Sequence, residues 1–230
     1  MRIAIVSDIH SNLDALEAVV ARLPRYDELI CLGDVVGYGP QPNEVIERLQ
    51  QLRPTTVLMG NHDYAVVSGD IEGFSPHAAR AIEWTRREIS GSGRGYLATL
   101  EHSARLQREE ATIALFHGSP RDPLTEYVFP GIPETVGRKL MGLATANVVL
   151  LGHTHMPMLY RFREGVLANP GSVGQPRDGD RRASFGLLTL SHGQVDFDVK
   201  RAEYDVGPVA ERILRCGLPS FLAERLYMGV

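Results

Sequence analysis

The 230-residue chain is 43% hydrophobic and carries 24 Lys and Arg against 28 Asp and Glu, a formal charge of -4 with a pI near 6.1. That length supports one sizeable core, and the charge balance argues against a general basic footprint for nucleic acid, leaving only a local patch open. Two cysteines, Cys31 and Cys216, exclude a disulfide framework and read as reduced thiols. The opening "MRIAIVSDIH" lacks the long apolar core of a signal peptide. No stretch approaches the roughly 20 apolar residues of a membrane span. The expectation is a soluble, cytoplasmic protein whose residues 1–230 form a single domain.

Taken in chain order, "RIAIVSD" (2–8) is short, apolar and β-branched and reads as a buried strand. In "SNLDALEAVVARLP", Leu13, Leu16, Val19, Val20 and Leu23 repeat at helical spacing, with Ser11 or Asn12 as N-cap. "DELICLGD" (27–34) is a second strand, "QPNEVIERLQQL" (41–52) a second helix and "TTVLMG" (55–60) a third strand. That alternation implies βαβ units and a parallel sheet. Residues 68–104 turn helical and polar, an excursion over one edge of the molecule. In it "SPHAARAIEWTRREIS" (75–90) is one helix and "GSGRG" (91–95) a flexible break. "ATIALFHG" (111–118) returns to strand, "PETVGRKLMGLA" (133–144) to helix and "NVVLLGH" (147–153) to strand. Four further strands follow, "MLYRF", "GVLAN", "SFGLLTL" and "QVDFDVK". The tail (203–230) is helical again, Pro219 opening its last helix, and it is free to dock on this chain or on a partner.

Of the eight histidines, His10, His62, His117, His153 and His155 stand at or just after predicted strand ends, as do Asp8, Asp34, Asn61 and Asp63. In an open α/β sheet, ligands bind in the crevice outside the carboxyl ends of the strands. A single Asp there is usually a cap or turn residue. Five separate exits all carrying Asp, His or Asn are not accounted for in that way. Carboxylate, imidazole and amide oxygen suit Mn, Fe, Ni or Zn, whereas an all-oxygen cage would suit Mg or Ca. No cysteine joins the set, so a thiolate zinc site is excluded. About seven ligands are too many for one ion and suit two, a pair that can clamp an in-line phosphoryl transfer.

The segments "DIH" (8–10), "GDVVG" (33–37), "GNHD" (60–63), "HG" (117–118) and "GHTH" (152–155) follow the order of the calcineurin-like metallophosphoesterases, which the chain resembles. The compact length, "LGDVVGYGPQPNEVI" and "NPGSVGQPRDGD" (169–180) look most like the small prokaryotic phosphodiesterase branch. The resemblance implies a four-layer α/β/β/α sandwich, two mixed β-sheets flanked by helices. It further implies two divalent transition metal ions, Mn first and Fe, Ni or Zn as alternatives. One would be held by Asp8, His10 and His155 and the other by Asn61, His117 and His153, with Asp34 bridging. In the family's chemistry a metal-bridging hydroxide attacks phosphorus, and His62, with Asn61, contacts the phosphate and protonates the leaving oxygen.

Where the family's protein phosphatases read GDxxDRG, this chain reads "GDVVGYG", so the Asp that orients the catalytic histidine and the phosphate-binding Arg are replaced by Gly37 and Gly39. His62 then needs another acceptor; adjacent Asp63 is either that partner or a cap on the following segment. Arg121 and Arg177 are either phosphate-binding forks or surface arginines. Asn169 and Ser172 line the site or set a turn, and Phe74, Trp84 and Tyr96 wall the substrate or pack a helix face. His77, His102 and His192 read as solvated.

The function implied is a dinuclear phosphodiesterase or phosphatase acting on a small phosphorylated or nucleotide substrate. Dinucleoside polyphosphate hydrolysis is the alternative within that class. A protein-binding scaffold on the same fold, as in the retromer subunit, is the alternative from another class, and a degraded ligand set would favour it; here the set is intact. Metal identity, substrate and oligomeric state are left open by the sequence.

Overall fold

A computed structural model describes residues 1–230. In chain order the elements are β1 (Arg2–Val6), α1 (Leu13–Arg22), β2 (Glu28–Cys31), α2 (Pro42–Gln51), β3 (Thr56–Val57), α3 (Asn61–Ser68), α4 (Pro76–Glu88) and α5 (Gly91–Leu97). There follow β4 (Ser103–Arg108), β5 (Ala111–Phe116), α6 (Glu134–Ala144), β6 (Val148–Leu150), β7 (Met158–Phe162), β8 (Gly165–Asn169), β9 (Ala183–Ser191), β10 (Gln194–Ala202), α7 (Val206–Arg215) and α8 (Ser220–Met228).

Two five-stranded sheets form, ordered β10-β9-β1-β2-β3 and β4-β5-β6-β8-β7. The β1-β2-β3 and β5-β6-β8 cores are parallel, while β9, β10, β4 and β7 add antiparallel strands. The parallel pairing implied by the strand–helix alternation of the first half is present in β1-β2-β3, and both sheets are mixed, as the resemblance implies, because the later strands are joined by hairpins rather than helices. Side-chain alternation explains the layers. Ile3 and Ile5 face Ile113, Leu115, Val148 and Leu150 between the sheets, whereas Ala4 and Val6 face α1 and α2 through Leu16, Val19, Val45 and Leu49. On the other outer face, Val149, Leu151 and Leu167 receive Leu140 and Met141 of α6. The four layers α/β/β/α are the expected ones.

The excursion differs in detail from the sequence reading. "GSGRG" is not a break but the first turns of α5, where the Ser90 hydroxyl accepts the Gly93 N–H at 3.0 Å and offsets the poor helix propensity of glycine. The edge strand β4, "SARLQR", went unread because its charged, half-exposed side chains give no apolar run. The tail docks on this chain: Val209, Ile213, Leu222 and Leu226 pack against Ala81 and Trp84 of α4 and against Tyr38. No helix is long and apolar enough to cross a membrane.

Candidate metal centre

β1, β2, β5 and β6 end at one edge of the two facing sheets, and the loops that leave them carry the polar set. Asp8, His10, Asp34, Asn61, His117, His153 and His155 are all buried. Several take the left-handed backbone that non-glycine residues seldom adopt: Asp8 (φ 54°), His10 (49°), Asp34 (53°), His153 (68°) and His155 (60°). Each such residue costs on the order of 1–3 kcal/mol, and strain of this kind persists where the surroundings enforce it. The clamps are visible. Asn169 Nδ2 donates to the Gly152 carbonyl (2.7 Å) and Thr154 Oγ1 (3.1 Å), and Ser172 Oγ donates to the Asp8 carbonyl (2.7 Å). Asn169 and Ser172 thus hold the donor loops rather than line a cleft.

The donor atoms fall into two groups, each within 4.8 Å: Asp8, His10, Asp34 and His155, and Asp34, His117 and His153. Asp34 is common to both. One of its oxygens, Oδ2, lies 3.4 Å from His10 Nε2 and 3.4 Å from His117 Nε2, one imidazole from each group. Asn61 joins the second group through Oδ1, 3.2 Å from His117 Nε2. His153 and His155 are divided between the groups, the first beside His117 and the second beside His10. On a regular strand, residues two apart would face the same side. Here β6 has ended at Leu150 and the chain turns between them.

These atoms fit cations. His10 and His155 direct Nδ1 at the carbonyls of Val36 (3.0 Å) and Gln175 (2.6 Å), so each Nε2 carries a lone pair. The two Nε2 atoms then face one another at 3.0 Å, acceptor to acceptor. His117 repeats the arrangement, Nδ1 on the Leu32 carbonyl (2.9 Å) and Nε2 toward Asn61 Oδ1. His153 inverts it, Nε2 meeting the Thr125 carbonyl (3.1 Å), which leaves Nδ1 for the cluster. Backbone carbonyls that fix ring tautomers in this way are the usual support of metal-binding histidines. Asp8 Oδ1 and Asp34 Oδ2 are buried without a hydrogen-bond partner, a costly state that a cation relieves.

Electrostatics agree. Burial opposes ionisation of Asp8 and Asp34, but the neighbouring imidazoles outweigh it and hold both carboxyls well below the usual range. Burial lowers His10, His153 and His155, His153 to about 3. His117 alone rises, to about 9; burial works against this, and the charge of Asp34 prevails. A cation must displace that one proton. Cation affinity is accordingly expected to climb about tenfold per pH unit from 6.5 toward 8 and to flatten above about 9. Calorimetric titration with Mn across this range checks it, and a pH-independent affinity would contradict it.

His62 sits at the first turn of α3, a helix that the sequence reading did not find because no apolar periodicity marks it. Its amide donates to Asp34 Oδ1 (2.9 Å), and Gly60 is the only residue type that lets this happen: a Cβ there would stand 2.0 Å from the same oxygen. Asp63 resolves as a cap. It accepts the N–H groups of Val35 (3.1 Å), Val36 (3.0 Å) and Gly60 (3.0 Å), tying "GDVV" to "GNHD". Burial and the charge of Asp34 push its carboxyl up to about 7. An amide can accept on one oxygen only, so Asp63→Asn should cost about 2–4 kcal/mol, read as a shifted denaturation midpoint. A loss under about 0.5 kcal/mol would contradict the clamp.

No acid orients His62. Its Nδ1 is buried without a partner and lies where a Cβ on Gly37 would come within 2.6 Å, so packing positions the ring instead. Tyr38 (4.3 Å), His10 (4.9 Å) and Phe74 (5.0 Å) surround it. Burial lowers the ring to about 4, against the pull of Asp34. The imidazole is therefore neutral at pH 7, with Nε2 the one nitrogen able to meet a ligand.

Asn61, His62 and His153 open onto a cleft of about 610 Å³ walled by Tyr38, Phe74, Tyr127, Arg177 and Arg225. Arg177 is thus brought to the site. Arg121 is not: it is ion-paired with Glu126 on the loop whose Tyr127 stacks on His153 at 3.8 Å. Of the three aromatics named from the sequence, only Phe74 reaches the cleft; Trp84 and Tyr96 pack helices. His77, His102 and His192 are exposed, as expected. Tyr38, Tyr127 and Arg225 were missed, and only "GYG" next to a donor motif could have flagged one of them.

Residues 1–193 match the model of the calcineurin-like phosphoesterase superfamily domain. An uncharacterized protein of Methanocaldococcus jannaschii is 34% identical over 99% of this chain and 98% of its own length. Phosphodiesterase YfcE of Escherichia coli K12 is 26% identical over 82% of this chain and 87% of its own. The crystal structure of a metallophosphoesterase from Sphaerobacter thermophilus superposes with a TM-score of 0.84 at 34% identity, covering 100% of this chain and 99% of that one. With its two facing sheets and its buried His and Asp donors at their common edge, the chain belongs to the calcineurin-like phosphoesterase superfamily.

Proposed function

We propose that the protein is a dinuclear metal-dependent phosphoesterase that hydrolyses a small phosphorylated or nucleotide substrate, with Mn the favoured metal. The observation that carries this reading is the pairing of lone-pair donors around one unpartnered oxygen, Asp34 Oδ2, which has an imidazole of each donor group at 3.4 Å. Asp8, His10 and His155 would hold one ion, Asn61, His117 and His153 the other, and Asp34 both. Two divalent ions there supply positive charge to phosphoryl oxygens and make water nucleophilic near neutral pH. The chain's own groups do the rest. His62, neutral and fixed by its ring neighbours, donates from Nε2 to the phosphoryl or leaving oxygen. Asn61 spends its Oδ1 on the cluster and keeps its NH₂ for the substrate. Arg177 faces the substrate from the wall, its guanidinium over the Tyr38 ring at 5.5 Å. Burial of the whole set strengthens each of these interactions.

Metal analysis with hydrolysis of bis-p-nitrophenyl phosphate tests the reading. Purified protein should carry divalent metal, or gain turnover in added Mn. Protein without metal and without turnover in Mn would refute it.

A further inference from the structure

The proposed reaction leaves Arg225 unused. It comes from α8, at the far end of the chain, and faces the same cleft as Arg177. Its Nε donates to the main-chain oxygen of Val230 and its guanidinium lies 5.2 Å over the Phe221 ring, so the side chain is held in place. The hydrogen bonds of Arg177 and Arg225 go to the Gln175 amide and the Val230 main-chain oxygen, not to a side-chain carboxylate. The Nε of Arg177 is buried and lacks any partner; its Nη2 reaches only the Gln175 amide (2.9 Å). Asp70 and Glu72 line the cleft too, and neither forms an ion pair with these arginines. Two like charges on one wall repel, and burial together with that repulsion lowers Arg225 to about 10. The charge of Arg177 also bears on His62 and His155.

We infer that Arg177 and Arg225 bind a second anionic group of the substrate, a phosphate or carboxylate carried beyond the scissile phosphate, and that the C-terminal helix thereby sets substrate class. This rests on the phosphoesterase reading for its kinetic consequence, but the anion site itself does not need the metals. The test compares p-nitrophenyl ethyl phosphate with the same diester bearing a terminal phosphate on the ethyl group, or a terminal carboxylate, using Mn-loaded protein. The wild type should favour the anionic substrates, and Arg225→Gln should reduce that preference in kcat/KM about tenfold through KM, as loss of a charge-assisted fork predicts. Arg225→Lys, which keeps the charge and any structural role of the stem, should restore part of it; the phosphate and carboxylate arms say which anion is preferred.

Titration of chelator-treated protein with inorganic pyrophosphate gives a readout independent of turnover. Arg225→Gln and Arg177→Gln should each weaken binding several-fold. No preference for the anionic substrates, or a preference unaltered in Arg225→Gln, overturns the inference. Pyrophosphate that fails to bind, or binds both variants as tightly as the wild type, overturns it equally. If no ester is hydrolysed, the proposed function fails, and the pyrophosphate titration still decides the anion site.

Discussion

Asp34→Asn should strip both cation positions, lowering affinity at each by about 100-fold or more, while Asn61→Ala should empty chiefly the position shared with His117 and His153. A loss that large exceeds the 10–100-fold typical of an outer-shell partner, because the substitution removes the one charge common to both donor groups. The replacement is isosteric. Asn can keep Oδ1 as acceptor for the His62 amide, now 2.9 Å away, so the α3 turn survives. What changes is Oδ2, the oxygen 3.4 Å from both His10 and His117. An amide nitrogen in its place presents N–H groups to cations. Asn61→Ala removes a neutral oxygen from one group and leaves Asp8, His10 and His155 complete. Metal content per chain measured on both variants decides between them. Equal loss from both positions in both variants would reject Asp34 as the shared ligand.

His62→Ala should keep its metals and lose turnover by about 10²–10³-fold, the range for removing one hydrogen-bond donor to developing charge. The ring touches His10, Tyr38 and Phe74, yet none of its atoms belongs to either donor group. Since burial depresses it to about 4, the ring is neutral from pH 6 to 8, and in the proposed reaction it would act as a hydrogen-bond donor rather than as an imidazolium. Loss of metal in the variant would make His62 a ligand; unchanged turnover would remove it from the reaction.

Much of this was legible because buried strands and strand exits leave strong marks in a sequence. Ile3, Ile5, Ile30, Val148 and Leu150 sit in short apolar runs, and the residue after each run had to be polar for a reason. The donor set was readable jointly, from five exits, and its division into two groups needed the resemblance. What escaped has physical causes. β4 is an edge strand in which only Ala104 and Leu106 turn inward between Arg105, Gln107 and Arg108, an apolar pair too short to mark a strand. α3 is ordered by Asp63 and Gly60, contacts of capping and close approach rather than of hydrophobic pattern. The cleft walls come from loops and from α8, brought together only by tertiary packing; nothing local to Tyr127 or Arg225 says that they meet. Arg121 and Arg177 had the same sequence-level credentials, and it was Glu126, five residues from Arg121, that drew one of them away.

His153 and His155, two residues apart, are expected to serve different ions that share Asp34. Crystals grown in Mn, with data collected at the Mn absorption edge, test it directly. Two anomalous peaks per chain about 3.5–4 Å apart are expected, His153 on one, His155 on the other and Asp34 between them. A single peak coordinated by both His153 and His155 would contradict it.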